Sequence, residues 1–539
     1  MRLGIFVGRA VAGAAVVVLA GTGFGQAATH HVISREVPAV VLSHAAVRVG
    51  APEAAQQFHL AVALPMRNMA QLHALLARIT NPDSPFFRHY LTVAQFADRF
   101  GPTPFDYAKA LNYFAGAGLQ VTGTSANRFL IDLTGNVRDI ERVFHVKLGL
   151  YKHPTEARLF FAPDREPTVD LDVPVLSVEG LDNFELPQPR MMQGAPGTAR
   201  AGSGPGGQFI PSDIRAAYYG GSKLTGAGQS LGLMELKGYN LSDVKLLFKT
   251  VKQPLKPKVV AISVAGAATD CTCHDAEQAL DIEYAIGMAP GLKQVQVYVG
   301  NSATSVLNKM ASQNTSAQLS TSWGWGEHFA SNDALFLEMA TQGQTFLTAS
   351  GDNSSLQASG PWPEEDANLT AVGGTDLVTN GPGKSWESET GWKDSAGGPS
   401  LDTTILVASY QLPFIDKANG GSKTLRNVPD IAGDANFNNY ICANGRCEGG
   451  WGGTSFASPI WAGYIALANE SAADQGKPRI GFLNPALYRL ASGSKYPKVL
   501  HDQTTGKSGQ FSAGPQYDLV TGLGSPKGDA LIQALVKGR

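Results

Sequence analysis

Short apolar segments alternate with helix-like segments through the middle of this 539-residue chain, and this alternation limits the possible folds more than any other feature. The segments of strand length and apolar character are 230–235, 295–299, 319–322, 346–349 and 369–372. Helical patterns lie between some of them, at 275–286 and 332–342. Such alternation predicts a parallel sheet covered by helices on both faces. Catalytic groups in these sheets gather where the strands end.

A Pro- and Gly-rich stretch from Pro187 to Pro205 divides the sequence. We expect it to be an exposed, cleavable linker, because such a composition does not form a core. The half before it shows a β-α-β-β-α-β pattern with an inserted helix. The expected strands are 58–64, 119–124, 129–133 and 146–151, and the expected helices are 68–78, 104–117 and 137–144. This half contains no catalytic constellation.

The first residues are typical of a secretory signal peptide. Arg2 and Arg9 supply positive charge, residues 10–20 are small and apolar, and Gly25-Gln26-Ala27 offers small residues for cleavage. The apolar run falls short of the roughly 20 residues that span a membrane, although an uncleaved anchor is the alternative. No later stretch is long and apolar enough to span a bilayer.

The charge balance excludes one class of function. Lys and Arg number 43 and Asp and Glu number 45, a net charge of −2, whereas nucleic-acid proteins show a basic excess or stripe. Only 16% of residues are charged, against about 25% in ordinary soluble domains.

The four cysteines fit export to an oxidising compartment. Cys442 and Cys447 flank a turn-like insert and can form a local disulfide, while Cys271 and Cys273 are too close for an unstrained one, so their state is open. A metal cluster at 271–274 is disfavoured, because no second group of ligands matches it.

Ser455 is the first candidate for chemistry. It follows Gly452-Gly453-Thr454 and precedes an apolar helical pattern, so helix amides there can stabilise an anion. A serine hydroxyl needs a base. Eight of the 11 histidines precede the linker, and only His274, His328 and His501 follow it.

Two carboxyls offer another base. Glu277 and Asp281 lie one helical turn apart in a largely apolar helix, so both project from one face and repel each other if ionised. One pKa should therefore rise, and a glutamate bonded to a serine can act as the base with the aspartate supporting it. The alternative is an acidic first turn that complements the helix dipole.

Two further acidic positions follow strand or loop signals. Asp352 comes after the strand at 346–349, where a protonated carboxyl can donate to an oxyanion, although a turn aspartate is the alternative. Near the C-terminus, Asp502 and Asp518 flank a Gly-containing loop whose oxygens suit Ca²⁺.

Together these residues resemble the sedolisin, or serine-carboxyl peptidase, family, and most of all its kumamolisin-type members. Residues 81–92 with Gln95-Phe96 are similar to the hallmark of the pro-kumamolisin activation domain. The motifs that follow in the family's order contain Glu277, Asp281, Asp352, the segment 426–430, Ser455 and the ending 517–524.

The resemblance implies a subtilisin-like α/β fold, with a parallel sheet flanked by helices, preceded by an α+β ferredoxin-like prodomain. It implies that Ser455 is the nucleophile, Glu277 the base and Asp281 the residue that orients it. Asp352 belongs to the oxyanion hole, and Trp323 lines the substrate cleft. One structural Ca²⁺ is implied, with the matching ligands Asp502, Gln503, Gly514, Gln516 and Asp518.

The expected organisation is a signal peptide at 1–27, an activation prodomain at 28–189, a cleavable linker at 190–207 and a peptidase domain at 208–539. The resemblance implies that the prodomain serves as intramolecular chaperone and inhibitor and is removed autocatalytically in acid, between Arg190 and Gln208. The expected product is a secreted, acid-active, monomeric serine endopeptidase that cleaves proteins or peptides and binds neither nucleic acid nor, after signal cleavage, a membrane.

Three departures from the family pattern carry consequences. Asn353-Ser354 follows Asp352 where Ser-Gly is usual, which can alter the oxyanion-side loop. Pro361 stands where related enzymes carry an acid of the S1 pocket, so a preference for basic residues is not transferred. Gln516 replaces a usual glycine but would bind calcium through its carbonyl.

Several alternatives stay open from sequence alone. They are a tripeptidyl-peptidase of the same family, a non-catalytic calcium-stabilised binding protein, and a serine hydrolase that uses His274 or His328 as base and works best near neutral pH. The low charge content is consistent with an enzyme that acts at low pH. Protonation of carboxylates weakens ion pairs there, so a protein with few of them loses little stability.

Overall fold

The computed structural model describes residues 31–194, 202–271, 273–326, 328–356 and 362–538. The expected signal peptide and Pro361 lie outside these ranges. Within them, no helix is both long and apolar enough to cross a membrane.

The first half is an α+β unit built on a four-stranded antiparallel sheet. The strand order is Gln120–Thr124, Leu130–Asn136, Gln57–Ala63 and Ser177–Glu179. This order confirms the ferredoxin-like arrangement. The helices of this half are Ala39–Leu42, Met69–Thr80, Val93–Arg99, Pro104–Gly116 and Val137–Phe144.

The last predicted strand is present, but its expected place in this sheet was wrong. The segment expected to complete the sheet is the strand Leu148–Lys152, which pairs with Arg48–Gly50 and Leu159–Pro163 in a separate sheet. Tyr151 stacks there on Phe160 at 5.3 Å between ring centres. The three-residue strand Ser177–Glu179 takes the expected place, and a strand this short has no clear period in sequence.

The second half is built on an eight-stranded sheet. Its central order is Lys258–Ser263, Gln294–Val299, Ser230–Glu235, Gln318–Thr321, Thr345–Ala349, Thr370–Thr379 and Trp386–Gly391, and Ile431–Asp434 also pairs with Thr370–Thr379. All pairs are parallel except the one made by Trp386–Gly391. The five predicted strands are confirmed. The sequence did not reveal three others, Lys258–Ser263, Trp386–Gly391 and Ile431–Asp434; the first of these lies half exposed at the sheet edge.

Helices cover both faces of this sheet. They are Pro211–Tyr218, Leu241–Thr250, Ala276–Met288, Ala303–Gln313, Ala330–Thr341, Thr454–Asp474, Asn484–Ala491, Tyr496–Val499 and Gly528–Lys537.

Further pairs of two-residue strands lie outside the large sheets. The first pair belongs to the first half of the chain, and the others belong to the second half. They are His31–Val32 with Thr168–Val169, Gly398–Pro399 with Asn427–Val428, Leu500–His501 with Ser525–Pro526, and Lys507–Ser508 with Phe511–Ser512.

Two buried helices lie side by side beneath the sheet edge that carries the site. Thr454–Asp474 and Ala276–Met288 approach closely because Gly463 has no side chain: a Cβ there would lie 2.7 Å from Cβ of Met288. Tyr284 and Phe456 pack edge to face at 4.7 Å near the start of the contact. This packing sets the separation between the side chains of the two helices.

Both cysteine pairs form disulfides. Cys442 and Cys447 are partners across the hairpin of Asn439–Ala443 and Arg446–Gly452, as the turn-like insert suggested. Cys271 and Cys273 are bonded to each other.

Candidate active site

Ser455 occupies the first turn of the helix Thr454–Asp474 and is fully buried. The preceding Gly453 has φ +124°, and a Cβ there would lie 2.5 Å from both the carbonyl oxygen of Arg190 and Oδ2 of Asp352. A glycine is therefore required for the chain to pass between these groups. The backbone N–H of Ser455 points outward from the helix start and donates to the carbonyl of Arg190 at 3.0 Å.

Glu277 and Asp281 lie on one buried face of Ala276–Met288, as their spacing predicted. Neither carboxyl oxygen of Glu277, nor Oγ of Ser455, makes a hydrogen bond of normal length and geometry. The hydroxyl is nevertheless close enough to lower the pKa of Glu277. Catalytic hydrogen bonds are often loose before substrate binds and tighten in the reacting complex.

Ser322 ties the aspartate to the serine helix. Its hydroxyl donates to Oδ1 of Asp281 at 2.7 Å and lies 3.2 Å from the carbonyl oxygen of Ser455. Ser322 directly follows the strand Gln318–Thr321. The carboxyl end of this strand therefore holds the pair of helices in register.

Glu235 is a member of the cluster that sequence analysis missed. It ends the strand Ser230–Glu235, is fully buried, and accepts a hydrogen bond from the indole of Trp323 at 2.8 Å. Its charge and that of Asp281 act on each other. A carboxylate that ends an otherwise apolar strand is the signal that could have revealed it.

The pKa values of the cluster are determined mainly by burial, since its carboxyls form no ion pair within the described ranges. Burial and the charge of Asp281 raise the pKa of Glu277 well above its ordinary value. Burial raises the pKa of Asp281 to about 8, although the Ser322 hydroxyl lowers it. Burial and Asp281 also raise the pKa of Glu235. Three carboxyls in this environment share protons and titrate as a unit.

Asp352 stands on the other side of Ser455, just beyond the strand Thr345–Ala349. Its Oδ1 accepts from the backbone N–H and the hydroxyl of Thr454, each at 2.8 Å, whereas Oδ2 has no hydrogen-bond partner. Burial raises the pKa of Asp352 to about 7. Below that pH the free oxygen can carry a proton and donate it to a nearby anion.

The histidines lie elsewhere. His274 is exposed, and the ring of His328 is held between Asp402 at 2.7 Å and Asp333 at 2.8 Å. Within the described ranges, neither histidine makes a hydrogen bond or ion pair with Ser455. By contrast, the Ser455 hydroxyl lies close enough to lower the pKa of Glu277, which makes this carboxyl the candidate proton acceptor for the serine.

The prediction of an exposed linker was wrong at Arg190, which is buried in the cleft beside Ser455, although Gln188 and Gln193 of the same stretch are exposed. Gln188–Pro189 pairs antiparallel with Trp323–Gly324, and Met192–Gln193 pairs antiparallel with Trp451–Gly452. The proline and glycine content of this stretch argued against ordered packing, but the two edges of the cleft provide strands with which it pairs. The backbone of Trp323 thus lines the cleft, while its side chain is 2% exposed and faces Glu235.

Comparison with known proteins agrees with this geometry. The family model described as "Pro-kumamolisin, activation domain" matches residues 44–184. Kumamolisin from Bacillus sp. (strain MN-32) is 30% identical over 493 residues, which cover 84% of this chain and 87% of that protein.

The chain belongs to the sedolisin family of serine-carboxyl peptidases.

Other members support the same assignment. Sedolisin from Pseudomonas sp. (strain 101) is 27% identical, covering 90% of this chain and 89% of that protein. Human tripeptidyl-peptidase 1 is 25% identical, covering 91% and 93%. The structure of Pseudomonas sedolisin with two molecules of pseudo-iodotyrostatin aligns with a TM-score of 0.53 at 26% identity, covering 63% of this chain and 98% of that one.

The activation domain of this peptidase docks through its hallmark segment. The guanidinium of Arg88 donates to the carbonyl of Leu535 at 2.6 Å, and the hydroxyl of Tyr90 donates to the carbonyl of Ile480 at 2.8 Å. Glu179 accepts from the first two amides of the helix Ala303–Gln313, at 2.9 Å each. These contacts hold the prodomain against the peptidase domain while the linker occupies the cleft. A prodomain held in this way blocks access to the site, as expected of an inhibitor.

The loop at the C-terminus brings the expected calcium ligands into one region. Asp502 accepts from the amide of Gln516 at 3.0 Å, and Asp518 accepts from the amide of Gly514 at 3.1 Å. The side chain of Gln503 points instead toward Glu389. Oδ1 of Asp502 is buried with no hydrogen-bond partner, an oxygen that fits a cation.

No group of three or more His, Cys, Asp or Glu side chains that could hold a metal occurs in the described ranges. A site made of two carboxylates and several backbone carbonyls does not need such a group.

Proposed function

We propose that the protein is a secreted, acid-acting endopeptidase made as a self-processing zymogen, with Ser455, Glu277 and Asp281 as its triad and Asp352 in its oxyanion hole. The observation that carries this proposal is a peptide already seated on Ser455: the carbonyl of Arg190 accepts the Ser455 N–H at 3.0 Å. An amide in that position stabilises the oxyanion of acyl transfer.

In the proposed mechanism, Oγ of Ser455 attacks the carbonyl carbon while Glu277 takes its proton. The carbonyl oxygen becomes an oxyanion that accepts from the Ser455 N–H and from protonated Asp352. The C–N bond then breaks as Glu277 returns the proton to the departing amine. Water hydrolyses the acyl-enzyme, with Glu277 again as base and Ser455 as the leaving alcohol.

Low pH favours this mechanism because Asp352 and Asp281 both act in it in the protonated form. Burial raises the pKa of Asp352 to about 7 and that of Asp281 to about 8, so both hold protons in acid. A protonated Asp281 no longer carries the charge that helps to raise the pKa of Glu277, and a hydrogen bond from it would favour the ionised form in which Glu277 accepts the serine proton. As the pH rises, Asp352 and Asp281 ionise and the oxyanion loses a donor.

Endopeptidase action is supported by the path of the linker. The polypeptide continues through the cleft in both directions from Arg190, and it pairs with a strand on each side of this residue. A cleft that admits long chain on either side of the reacting carbonyl accepts internal bonds of a polypeptide.

A structural Ca²⁺ is part of the proposal. The carboxylates of Asp502 and Asp518 and the carbonyls of Gln503, Gly514 and Gln516 would hold it. The ion would stabilise the C-terminal loop by neutralising two carboxylates. We further propose that residues 1–27 direct export and that the mature form, without its prodomain, is monomeric.

The Ser455→Ala precursor tests the proposal. At pH 4 the wild-type precursor should cleave itself, and the alanine variant should stay intact over the same period, as seen by electrophoresis and intact mass. Wild-type products from a denatured protein should include peptides longer than three residues from internal positions. Self-cleavage by the alanine variant at the wild-type rate would contradict the assignment of the nucleophile.

A further inference from the structure

The linker presents one peptide bond to the candidate nucleophile. The N–H of Arg190 donates to the carbonyl of Ser322 at 2.9 Å, and its carbonyl accepts from Ser455. The next residue, Met191, lies against Gly453, where an added Cβ would meet Cα of Met191 at 2.8 Å. The backbone of Arg190 is thus held from both sides, in the position of the residue whose carbonyl is attacked.

The side chain of Arg190 enters a buried pocket that ends in a carboxylate. Arg190 is 5% exposed, and its Nη2 lies 3.3 Å from both carboxyl oxygens of Glu364, which is fully buried. A guanidinium taken out of water needs such a partner, because an unpaired buried charge is strongly unfavourable.

Gly351 forms a wall of this pocket. Its φ is +107°, and a Cβ there would lie 2.7 Å from Nη1 of Arg190. The same Cβ would lie 3.2 Å from Cβ of Ala396 on the opposite side. Two small residues therefore leave room for a long side chain to reach Glu364.

We propose that Glu364 selects arginine at the residue preceding the cleaved bond, and that the precursor is cut between Arg190 and Met191. The proposal rests on the proposed function, since it takes Ser455 as the nucleophile. In this step the carbonyl carbon of Arg190 is transferred to Ser455 and then to water, and the nitrogen of Met191 receives the proton. Because Pro361 stands where related enzymes carry the acid, a basic preference was not transferred from the family; here the proposed acid comes from position 364 instead.

Glu364 and the neighbouring Glu365 provide a matched pair for the test. Glu365 is also buried but accepts from Ser400 and from the amide of Leu401, so its carboxylate serves the loop and not Arg190. For the mature enzyme, kcat/KM is measured on two peptides that differ only in arginine or norleucine before the cleaved bond.

The wild type and Glu365→Gln should favour the arginine peptide, and Glu364→Gln should lower that preference on the order of 100-fold, the effect of unpairing a buried charge. The wild-type mature chain should begin at Met191, as shown by N-terminal mass spectrometry, and this readout does not require the variant to fold. Equal use of the two peptides by the wild type, or a first cut elsewhere in the linker, would overturn the proposal.

Failure of the underlying function gives a different result. In that case the Ser455→Ala precursor is processed as fast as the wild type, wherever the cut falls. A wild type that needs Ser455 but cuts at another bond overturns only the role of Glu364 and the Arg190–Met191 bond.

Discussion

Two regions of the peptidase domain bury carboxyl groups to the same extent and treat them in opposite ways. Asp430 is fully buried and receives the guanidinium of Arg426, the hydroxyl of Tyr488 at 2.8 Å and the amide of Ala371 at 2.9 Å. Its charge is neutralised and its oxygens are occupied. The carboxyls of Glu277, Asp281 and Glu235 form no ion pair within the described ranges and keep oxygens without partners.

The presence or absence of a paired cation distinguishes a carboxylate that supports the fold from carboxyls that can take part in proton transfer. A carboxylate with a cation and several donors is stabilised in its ionised form and connects elements of the fold. Carboxyls buried together without a cation have raised pKa values and hold protons that can move. The segment 426–430, part of the family pattern but without an evident role in sequence, thus belongs to the scaffold.

The largest expected effect comes from removing a proton acceptor. Glu277→Gln should lower kcat by about 10²- to 10⁴-fold, because the side-chain amide is too weak a base to accept the serine proton. Its thermal unfolding temperature near neutral pH should not fall, since a buried group that resists ionisation has been removed. The kcat is measured on the mature protein, and the unfolding temperature on the mature protein or the precursor.

Glu283→Gln is the control for that change. Glu283 is buried on the same helix and burial likewise raises its pKa, but it faces the amide of Cys442. The control should keep its activity within a few fold. Equal loss in both variants would mean that burial on this helix, and not position beside Ser455, explains the effect.

Breaking the neutralised pair should affect stability. In the Ser455→Ala precursor, Arg426→Leu leaves Asp430 buried without its cation and should lower the free energy of unfolding by about 3–5 kcal/mol at pH 7. The loss should be smaller at pH 4, where the unpaired carboxyl can bind a proton. Urea unfolding at both pH values measures this. An equal loss at both would contradict the idea that a missing cation turns a structural carboxylate into a proton-holding one.

A smaller effect is expected at the C-terminal loop, where calcium would be the cation for Asp502 and Asp518. Removing the ion with EDTA should lower the unfolding temperature, and excess Ca²⁺ should restore it. At an ion concentration of about 100 Kd the stabilisation is about 2.7 kcal/mol. Asp502→Asn should abolish the response to calcium. Identical unfolding temperatures with EDTA and with Ca²⁺ would contradict the proposed calcium site.

Sequence reasoning recovered what periodicity and spacing encode. The helix Val137–Phe144 and the strand Ser230–Glu235 have the predicted bounds. The spacing of Glu277 and Asp281 also correctly predicted one shared face. These features are local, so each is determined by residues within a few positions of each other.

Long-range features were not recoverable in this way. The pairing of residues 188–193 with the cleft depends on strands contributed by residues 323–324 and 451–452. Glu235 joins the cluster only because its strand ends beside that of Ser322. Glu364 meets Arg190 across 174 residues of sequence. A linear pattern gives no sign of such contacts.

The central claim is that protonated carboxyls, and not a histidine, support the serine. The most direct test is the pH dependence of kcat/KM for the mature wild type and for Asp352→Asn. Burial raises the pKa of Asp352 to about 7, and the proposed mechanism uses the protonated form of this residue. The wild type should therefore be most active in acid and lose activity as the pH rises through about 7. Asparagine donates a hydrogen bond at every pH, so the variant should retain more of its activity at neutral pH. A wild type whose activity instead rises from pH 5 to a maximum near neutrality would contradict the account.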